Sequence, residues 1–301
     1  LVSIFPTWKE STLPRLPLES QTWITSFSSG EIVGIVHGYD DKKTALFSLK
    51  NSTSSSWETL PPPPTEGRFG AVVAFDDMFI VLGGWDSNYY AISRVEAMDL
   101  STRTWRSLAP MKYARSSLGA VTKGRQIFVY GEVKIEGEDS FSGEVFNIGS
   151  AEVFDVDANE WQDLPPMSNG GDTAVCIGEE VYFIGSSFII GFDTKTEQWS
   201  TKAPMHRPVS DCSAVAVGDR FIMVMGGGVD GTMVQIYDST KDRWKEYPSQ
   251  LLYGRFGGSA TIVDNSRVLV AGGSYGHIPP MEELEISEFA KLLEDLFFED
   301  D

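Results

Sequence analysis

Four arginines stand at similar places along this 301-residue chain, each some ten residues beyond a tryptophan. A guanidinium presents five N–H donors in a planar fork, so converging arginines could bind a carboxylate or a phosphate. Such a group would form a positive spot on a protein whose formal net charge is −19. The arginines are Arg68, Arg115, Arg207 and Arg255.

Aromatic and polar side chains follow two of the glycine turns in the chain. Exposed aromatic residues together with arginines are typical of binding hot spots in protein interfaces. The sequence therefore predicts a partner-binding set that adds these residues to the four arginines: Trp85, Asn88, Tyr89, Tyr90, Tyr275 and His277. An alternative interpretation is that each arginine is a structural residue, bound to backbone carbonyls or to a neighbouring repeat.

Catalytic chemistry has little support in the sequence. The three histidines, His37, His206 and His277, do not share the close spacing of a metal-binding pair,. The double glycines end apolar runs and are not followed by helices, so they do not form a phosphate-binding loop. We expect no catalytic residue, no metal and no cofactor.

The elements that carry these residues follow a repeat. Six short apolar runs end in glycine or a glycine-like turn, and successive turns are about 47 residues apart,. A tryptophan followed by a proline-rich break stands before each of these turns. A period of this size in an all-β pattern indicates a radial repeat. The six tryptophans are Trp8, Trp57, Trp105, Trp161, Trp199 and Trp244.

Four units share a further pattern, in which an aspartate ends an apolar strand six residues before the tryptophan. The aspartates are Asp99, Asp155, Asp193 and Asp238. With its double glycines, this pattern resembles the kelch-repeat family, over roughly residues 7–288. The resemblance implies an all-β, six-bladed kelch-type β-propeller with four strands, a to d, in each blade.

Both ends of the chain are needed to complete the ring. The last unit has no tryptophan strand, whereas Trp8 begins a strand with no blade of its own. We therefore expect the N-terminal strand to close the sixth blade and leave no edge strand exposed. Residues 1–288 form the propeller in this interpretation, and residues 289–301 form an acidic helix or tail that packs on the propeller or on a partner.

Composition and charge limit the possible partners and locations. The acidic balance argues against nucleic acid as the main partner,. No run approaches the ~20 apolar residues of a membrane-spanning helix, so we expect no membrane insertion. The two cysteines, Cys176 and Cys212, lie in apolar segments. We expect buried free thiols, a reducing compartment, and a cytoplasmic or nuclear location.

Loop lengths predict which face binds. The b–c connections vary in length more than the rest of the repeat, and alternating strand directions place the b–c and d–a loops on one face. Loops that vary on a rigid frame commonly carry binding residues.

The resemblance implies a module that binds a partner protein, and the arginines predict an acidic or phosphorylated segment as the contact. In related proteins such a propeller is the substrate receptor of a ubiquitin-ligase adaptor that carries an F-box or BTB domain. Two alternatives are a permanent scaffold subunit and a kelch-type enzyme that acts on a small anionic sugar.

Overall fold

The structure is a computed structural model that describes residues 5–14, 24–29, 32–37, 45–50, 57–65, 67, 70–133, 150–167, 171, 173–273, 279–287 and 289–298. For residues 24–29, 32–37, 45–50, 132, 133, 289, 290 and 298 the description covers the backbone alone.

The described residues form short strands and one helix. The chain begins with β1 (Lys9–Glu10). The first two groups of four strands are β2 (Ile24–Ser29), β3 (Ile32–His37), β4 (Ala45–Lys50), β5 (Glu58–Leu60), β6 (Ala71–Phe75), β7 (Met78–Leu82), β8 (Val95–Asp99) and β9 (Thr104–Ser107). The next two are β10 (Arg115–Lys123), β11 (Gln126–Val133), β12 (Ala151–Asp155), β13 (Glu160–Asp163), β14 (Thr173–Ile177), β15 (Glu180–Ile184), β16 (Ile189–Asp193) and β17 (Gln198–Thr201). The remaining elements are β18 (Ser213–Val217), β19 (Phe221–Met225), β20 (Val234–Asp238), β21 (Arg243–Glu246), β22 (Ser259–Val263), β23 (Arg267–Ala271), β24 (Glu282–Glu285) and α1 (Phe289–Phe298).

In the part of the chain that the structure describes, these strands pair into six four-stranded antiparallel sheets. Five sheets, blades 1 to 5, are each built from one contiguous group, β2–β5 through β18–β21. The first strand of each blade, strand a, contacts strand a of the blades on either side, and these contacts run in a closed circle. The all-β propeller predicted from the repeat is confirmed.

Blade 6 combines the two ends of the chain. Its sheet has the order β22, β23, β24 and β1, and β1 pairs with β24 through Lys9 opposite Glu283 and Glu10 opposite Glu282. Trp8 lies just before this strand and is buried. The predicted closure by the N-terminal strand is therefore present in the structure.

The core is divided among the interfaces between neighbouring blades. The strand-d tryptophans of blades 1 to 5 connect these interfaces, because in each of them the indole Nε1–H donates to a carbonyl of the preceding blade. These bonds are Trp57 to Pro14 (2.7 Å), Trp105 to Pro61 (2.9 Å), Trp161 to Ala109 (2.8 Å), Trp199 to Pro165 (2.8 Å) and Trp244 to Ala203 (2.9 Å). The tryptophan period seen in the sequence is therefore a ladder of inter-blade contacts.

In blades 2 to 5, the aspartate that precedes the tryptophan shapes the c–d turn. The Asp99 carboxylate accepts from the backbone N–H groups of Ser101 and Thr102, both at 2.8 Å. Asp155, Asp193 and Asp238 make the equivalent pair of bonds. An aspartate carboxylate that accepts from the backbone N–H groups of the second and third residues after it favours a tight turn.

The helix α1 packs on the propeller. Leu293 and Phe297 are fully buried in the cluster between blades 5 and 6, and the Phe297 ring stacks on Phe221 with centroids 5.9 Å apart. Arg220 pairs with Glu294 at 3.3 Å, and the Lys241 ammonium donates to the Phe297 carbonyl at 3.2 Å. Among the described helices, none is long and apolar enough to cross a membrane.

Candidate functional site

The b–c and d–a loops lie together on one face of the propeller, which we call the loop face. Because neighbouring strands are antiparallel, strands b and d both end there. The loops also bond across the blade boundaries: Gly84 N–H donates to the Arg115 carbonyl at 2.8 Å, and Gly227 N–H donates to the Arg255 carbonyl at 2.7 Å. We call the opposite side, with the a–b and c–d turns, the turn face.

Two of the predicted partner-binding arginines are buried beneath the loop face. The Arg115 side chain has 0 % exposure, and its Nε donates to Glu152 at 3.0 Å. Its other donors reach the carbonyls of Gly131 (3.1 Å) and Ser150 (2.8 Å) and the Ser150 hydroxyl. Burial lowers the pKa of Arg115, and Glu152 opposes that shift. A buried ion pair with its hydrogen bonds satisfied is a structural unit.

Arg255 repeats this arrangement in blade 6. Its guanidinium pairs with Glu282 at 2.8 Å and donates to the carbonyls of Gly272, at 2.7 Å, and Pro280. Both Arg255 and Glu282 are buried. The prediction that Arg115 and Arg255 contact a partner is therefore wrong, because both side chains are enclosed and their donors are engaged within their own blades.

In blade 2, an arginine from a different loop occupies the equivalent buried position. Arg94, on the b–c loop, donates through Nε to the Gly83 carbonyl at 3.0 Å and lies 3.9 Å from Glu96. Burial lowers the pKa of Arg94 to about 10, with Glu96 acting in the opposite direction. Gly67 makes room for this side chain, since a Cβ at that position would lie 2.5 Å from the Arg94 Cζ. The sequence pattern did not single out Arg94, because it stands outside the d–a segment.

Arg207 occupies a different position from Arg115 and Arg255. Its side chain is 61 % exposed and pairs through Nε with Glu246 at 2.9 Å. The Gln235 side chain holds the Arg207 backbone, accepting from its N–H at 3.2 Å and donating to its carbonyl at 3.0 Å. The spacing from the tryptophan suggested four equivalent arginines, but loop lengths differ and Arg207 is offset.

The strand-c side chain equivalent to Gln235 anchors the d–a loop in three other blades. Glu96 accepts from the Thr65 N–H at 3.2 Å, and Glu152 accepts from the Lys112 N–H at 2.8 Å. In blade 6, Glu282 accepts from the Leu252 N–H. Thr65, Lys112, Arg207 and Leu252 are therefore equivalent, and all four are exposed.

The b–c loop of blade 2 carries the predicted aromatic group on a constrained tip. A bridge between Trp85 and Ala91 extends the hairpin, and the Asp86 carboxylate accepts from the N–H groups of Asn88 and Tyr90, both at 2.8 Å. Tyr89 is exposed with φ at 65°, an uncommon conformation for a bulky residue,.

The structure places four of the predicted partner-binding residues on this one loop: Trp85, Asn88, Tyr89 and Tyr90. Asn88 is exposed, whereas Trp85 and Tyr90 are half-buried, and the rings of Trp85 and Tyr89 lie 6.4 Å apart. The predicted residues Arg68, Tyr275 and His277 lie outside the described residues.

Large exposed hydrophobic side chains are concentrated on the loop face. Within the described ranges they are Tyr89, Val229 and Leu252. Tyr89 and Val229 are on b–c loops and Leu252 is on a d–a loop. Val229 and Leu252 were not predicted as site residues, although a valine between the glycines of a b–c loop was a visible signal.

The described residues contain no group of three histidine, cysteine, aspartate or glutamate side chains that could hold a metal ion. A ring nitrogen of His206 lies 2.9 Å from the Trp244 carbonyl. Cys176 is half-buried, Cys212 is buried, and both are free thiols. Burial raises the pKa of Cys176.

Comparisons with known proteins agree with this architecture. The Kelch motif family model matches residues 67–112, which contain blade 2. The solved structure of YjhT superimposes with a TM-score of 0.74 at 16 % sequence identity, covering 91 % of this chain and 95 % of that one. At this identity the likeness shows a shared fold.

Curated relatives include kelch proteins of three kinds. The kelch-like protein terF of Aspergillus terreus is 23 % identical over 76 % of this chain and 56 % of its own length. The F-box/kelch-repeat protein SKIP20 of Arabidopsis thaliana is 29 % identical over 56 % of this chain and 41 % of its own. The human kelch repeat and BTB domain-containing protein 2 is 24 % identical over 61 % of this chain and 34 % of its own.

The chain thus spans between about a third and a little over half of the length of these relatives. The repeat, the blade architecture and the comparisons agree: this chain is an all-β propeller that contains a Kelch motif and is similar to kelch-like, F-box/kelch and BTB/kelch proteins.

Proposed function

We propose that this propeller, with six blades closed by its N-terminal strand, is a protein-recognition module that binds a segment of a partner protein on its loop face. The observation that carries the proposal is the placement of Tyr89, Val229 and Leu252, the exposed large hydrophobic side chains of the described residues, on that one face. Val229 and Leu252 lie on adjacent loops of that face, and loops on a rigid frame commonly carry binding residues,.

Fewer than four of the predicted arginines are available to a partner in the proposed site. Arg115 and Arg255 hold their own blades together, so an acidic or phosphorylated partner segment would meet Arg207 among the described arginines of the predicted set. The same burial weakens the alternative of an enzyme for a small anionic sugar, since that alternative depends on several arginines converging in solvent.

We further propose that the module is the substrate receptor of a ubiquitin-ligase adaptor acting in the cytoplasm or nucleus. Support comes from the relatives, whose names pair kelch repeats with F-box or BTB domains. The free thiols of Cys176 and Cys212 are compatible with such a reducing compartment,.

Affinity capture from cell extract with paired variants tests the binding role. In the loop-face variant, Val229→Asp is combined with Leu252→Asp. In the turn-face control, Lys195→Ala is combined with Asp219→Ala, since both residues are exposed and lie on turns of the opposite face.

We expect at least one protein, captured in near-equal amount by the wild type and the control, to be lost with the loop-face variant. If that protein is a ligase substrate, its ubiquitylation in cells should also fall with the loop-face variant. Equal capture by all three proteins, or loss with the control alone, would place the binding site elsewhere.

A further inference from the structure

The anchored d–a position repeats in four blades with a fixed backbone and a variable side chain. At each copy the backbone N–H is bound by a buried glutamate or glutamine of strand c. The side chains differ in chemistry: a hydroxyl in Thr65, an ammonium in Lys112, a guanidinium in Arg207 and an apolar group in Leu252. The contact that all four copies share uses the backbone N–H, so it places the side chain without requiring one side-chain type; in blade 2 the Thr65 hydroxyl also donates to Glu96 at 2.6 Å.

A backbone position that is fixed in place but carries different side-chain types is suited to partner recognition. Preorganised contacts lose little conformational entropy on binding, which lowers the free-energy cost of association. The position is also exposed in all four blades, so its side chain can reach a partner. The chemistry at this position can therefore set specificity without altering the blade.

Two anchored positions lie on either side of one loop near the junction of blades 5 and 6. The b–c loop of blade 5 lies between them: Gly228 N–H donates to the Ser210 carbonyl at 3.4 Å, and Gly231 O accepts from the Arg255 N–H at 2.9 Å. Val229 stands at the tip of that loop and is fully exposed. Arg207, Val229 and Leu252 are thus carried by three adjacent loops, which we call the junction patch.

Arg207 is the charged member of the junction patch and can bind an anionic group beside an apolar one. The ion pair between Arg207 and Glu246 uses the Arg207 Nε at 2.9 Å, and both side chains are at least half exposed. Exposed ion pairs of this kind contribute little to stability. A partner carboxylate can therefore bind the outer N–H groups of the guanidinium, which forms paired bonds with carboxylates.

We propose that the anchored positions determine partner specificity and that the junction patch binds a partner segment in which an apolar side chain lies close to an aspartate or glutamate. The apolar side chain contacts Val229 and Leu252, and the carboxylate binds Arg207. This inference rests on the proposed protein-binding function and adds the chemical class of the bound segment.

Peptide display on the full chain tests the inference without a known partner. A random library of peptides is selected in parallel against the wild type, Arg207→Glu and the turn-face control Lys195→Glu. Binding of the peptides selected on the wild type is then measured for Arg207→Ala and Leu252→Ala. Thermal unfolding of each variant checks that it is folded, and Arg207→Ala replaces Arg207→Glu in the selection if the reversed charge prevents folding.

We expect peptides selected on the wild type and the control to place Asp or Glu near an apolar residue. Selection on Arg207→Glu should replace the acid with Lys or Arg, and selection on the substitute Arg207→Ala should remove the preference for an acid. Each alanine variant should weaken binding of the wild-type peptides about tenfold, since a lost hydrogen bond to a charged group or lost apolar burial is of that size.

Unchanged preferences or unchanged affinities would overturn the inference. If the selected peptides instead lose binding with Asn88→Ala or Tyr89→Ala, the loop face still binds and the proposed function stands. An absence of enriched peptides would also overturn the inference, while the capture experiment decides the binding function separately.

Discussion

At the scale of single residues, the three described arginines of the sequence pattern separate into two roles. Arg115 and Arg255 are buried and bind a glutamate and backbone carbonyls of their own blades. Arg207 is exposed and makes one surface ion pair. The same side chain is therefore structural in two places and available to a partner in a third, because its environment differs.

This difference predicts unequal costs of substitution. We expect Arg115→Ala to lower the free energy of unfolding by about 3–5 kcal/mol, because it leaves Glu152 charged and buried without its partner. Arg207→Ala should lower it by less than about 1 kcal/mol, since that ion pair is exposed. Urea-induced unfolding followed by tryptophan fluorescence measures both. Equal costs would show that the two environments have been misassigned.

At the scale of elements, the c–d turns share one aspartate but differ in burial. Asp238 has no exposed side-chain surface and accepts from Arg220 at 2.9 and 2.6 Å. Burial favours the neutral acid, yet the hydrogen bonds from Arg220 and Thr240 outweigh it and lower the pKa of Asp238 below its usual 3.8. The turn of blade 5 is therefore joined to Arg220, which also holds α1 through Glu294.

The lowered pKa of Asp238 predicts a pH-dependent contribution to stability. A carboxylate whose pKa is lower in the folded state stabilises that state above its unfolded pKa, and the contribution is lost as the pH falls through the folded pKa. We expect Asp238→Asn to lower the free energy of unfolding by about 2 kcal/mol at pH 7. Because the wild type loses this contribution in acid, the difference should shrink below pH 3.8, the usual pKa of the group.

Urea-induced unfolding of both proteins between pH 7 and pH 2 measures that difference. A difference independent of pH would mean that the folded pKa of Asp238 is not lowered. Asp193→Asn is a useful comparison, because its turn is alike but its carboxylate is more exposed.

At the scale of the whole molecule, the N-terminal segment holds three blades. Trp8 is buried in the cluster of blades 5 and 6, and the Pro6 carbonyl accepts from the Tyr247 hydroxyl at 2.7 Å. Ser11 N–H donates to the Met281 carbonyl at 2.7 Å, and Pro14 accepts the indole N–H of blade 1. The segment therefore closes the ring as well as completing one sheet.

Removing this segment should destabilise the entire propeller. We expect Trp8→Ala to cost about 3–5 kcal/mol, the usual range for a large buried aromatic residue. Deletion of residues 1–14 should lower the melting temperature further and promote aggregation, because it exposes the edge of β24. Differential scanning calorimetry measures the change. A soluble truncated protein with an unchanged melting temperature would show that the ring is closed by other contacts.

The sequence by itself determined the repeating frame. The tryptophans, the strand-ending aspartates and the double glycines report local geometry at a fixed period. Each makes the same kind of bond in successive blades, so they predict the propeller and its closure. Strand alternation also placed the b–c and d–a loops on one face without knowledge of the tertiary structure.

Only the tertiary structure decided which side chains reach solvent on that face. The d–a loops differ in length, so distance from the tryptophan did not align Arg207 with Arg115 and Arg255. In blade 2, Arg94 fills from the b–c loop the place that Arg115 fills from the d–a loop of blade 3. The burial of Arg115 and Arg255 depends on Glu152 and Glu282, and the burial of Arg94 depends on the space beside Gly67. These are contacts between segments distant in sequence.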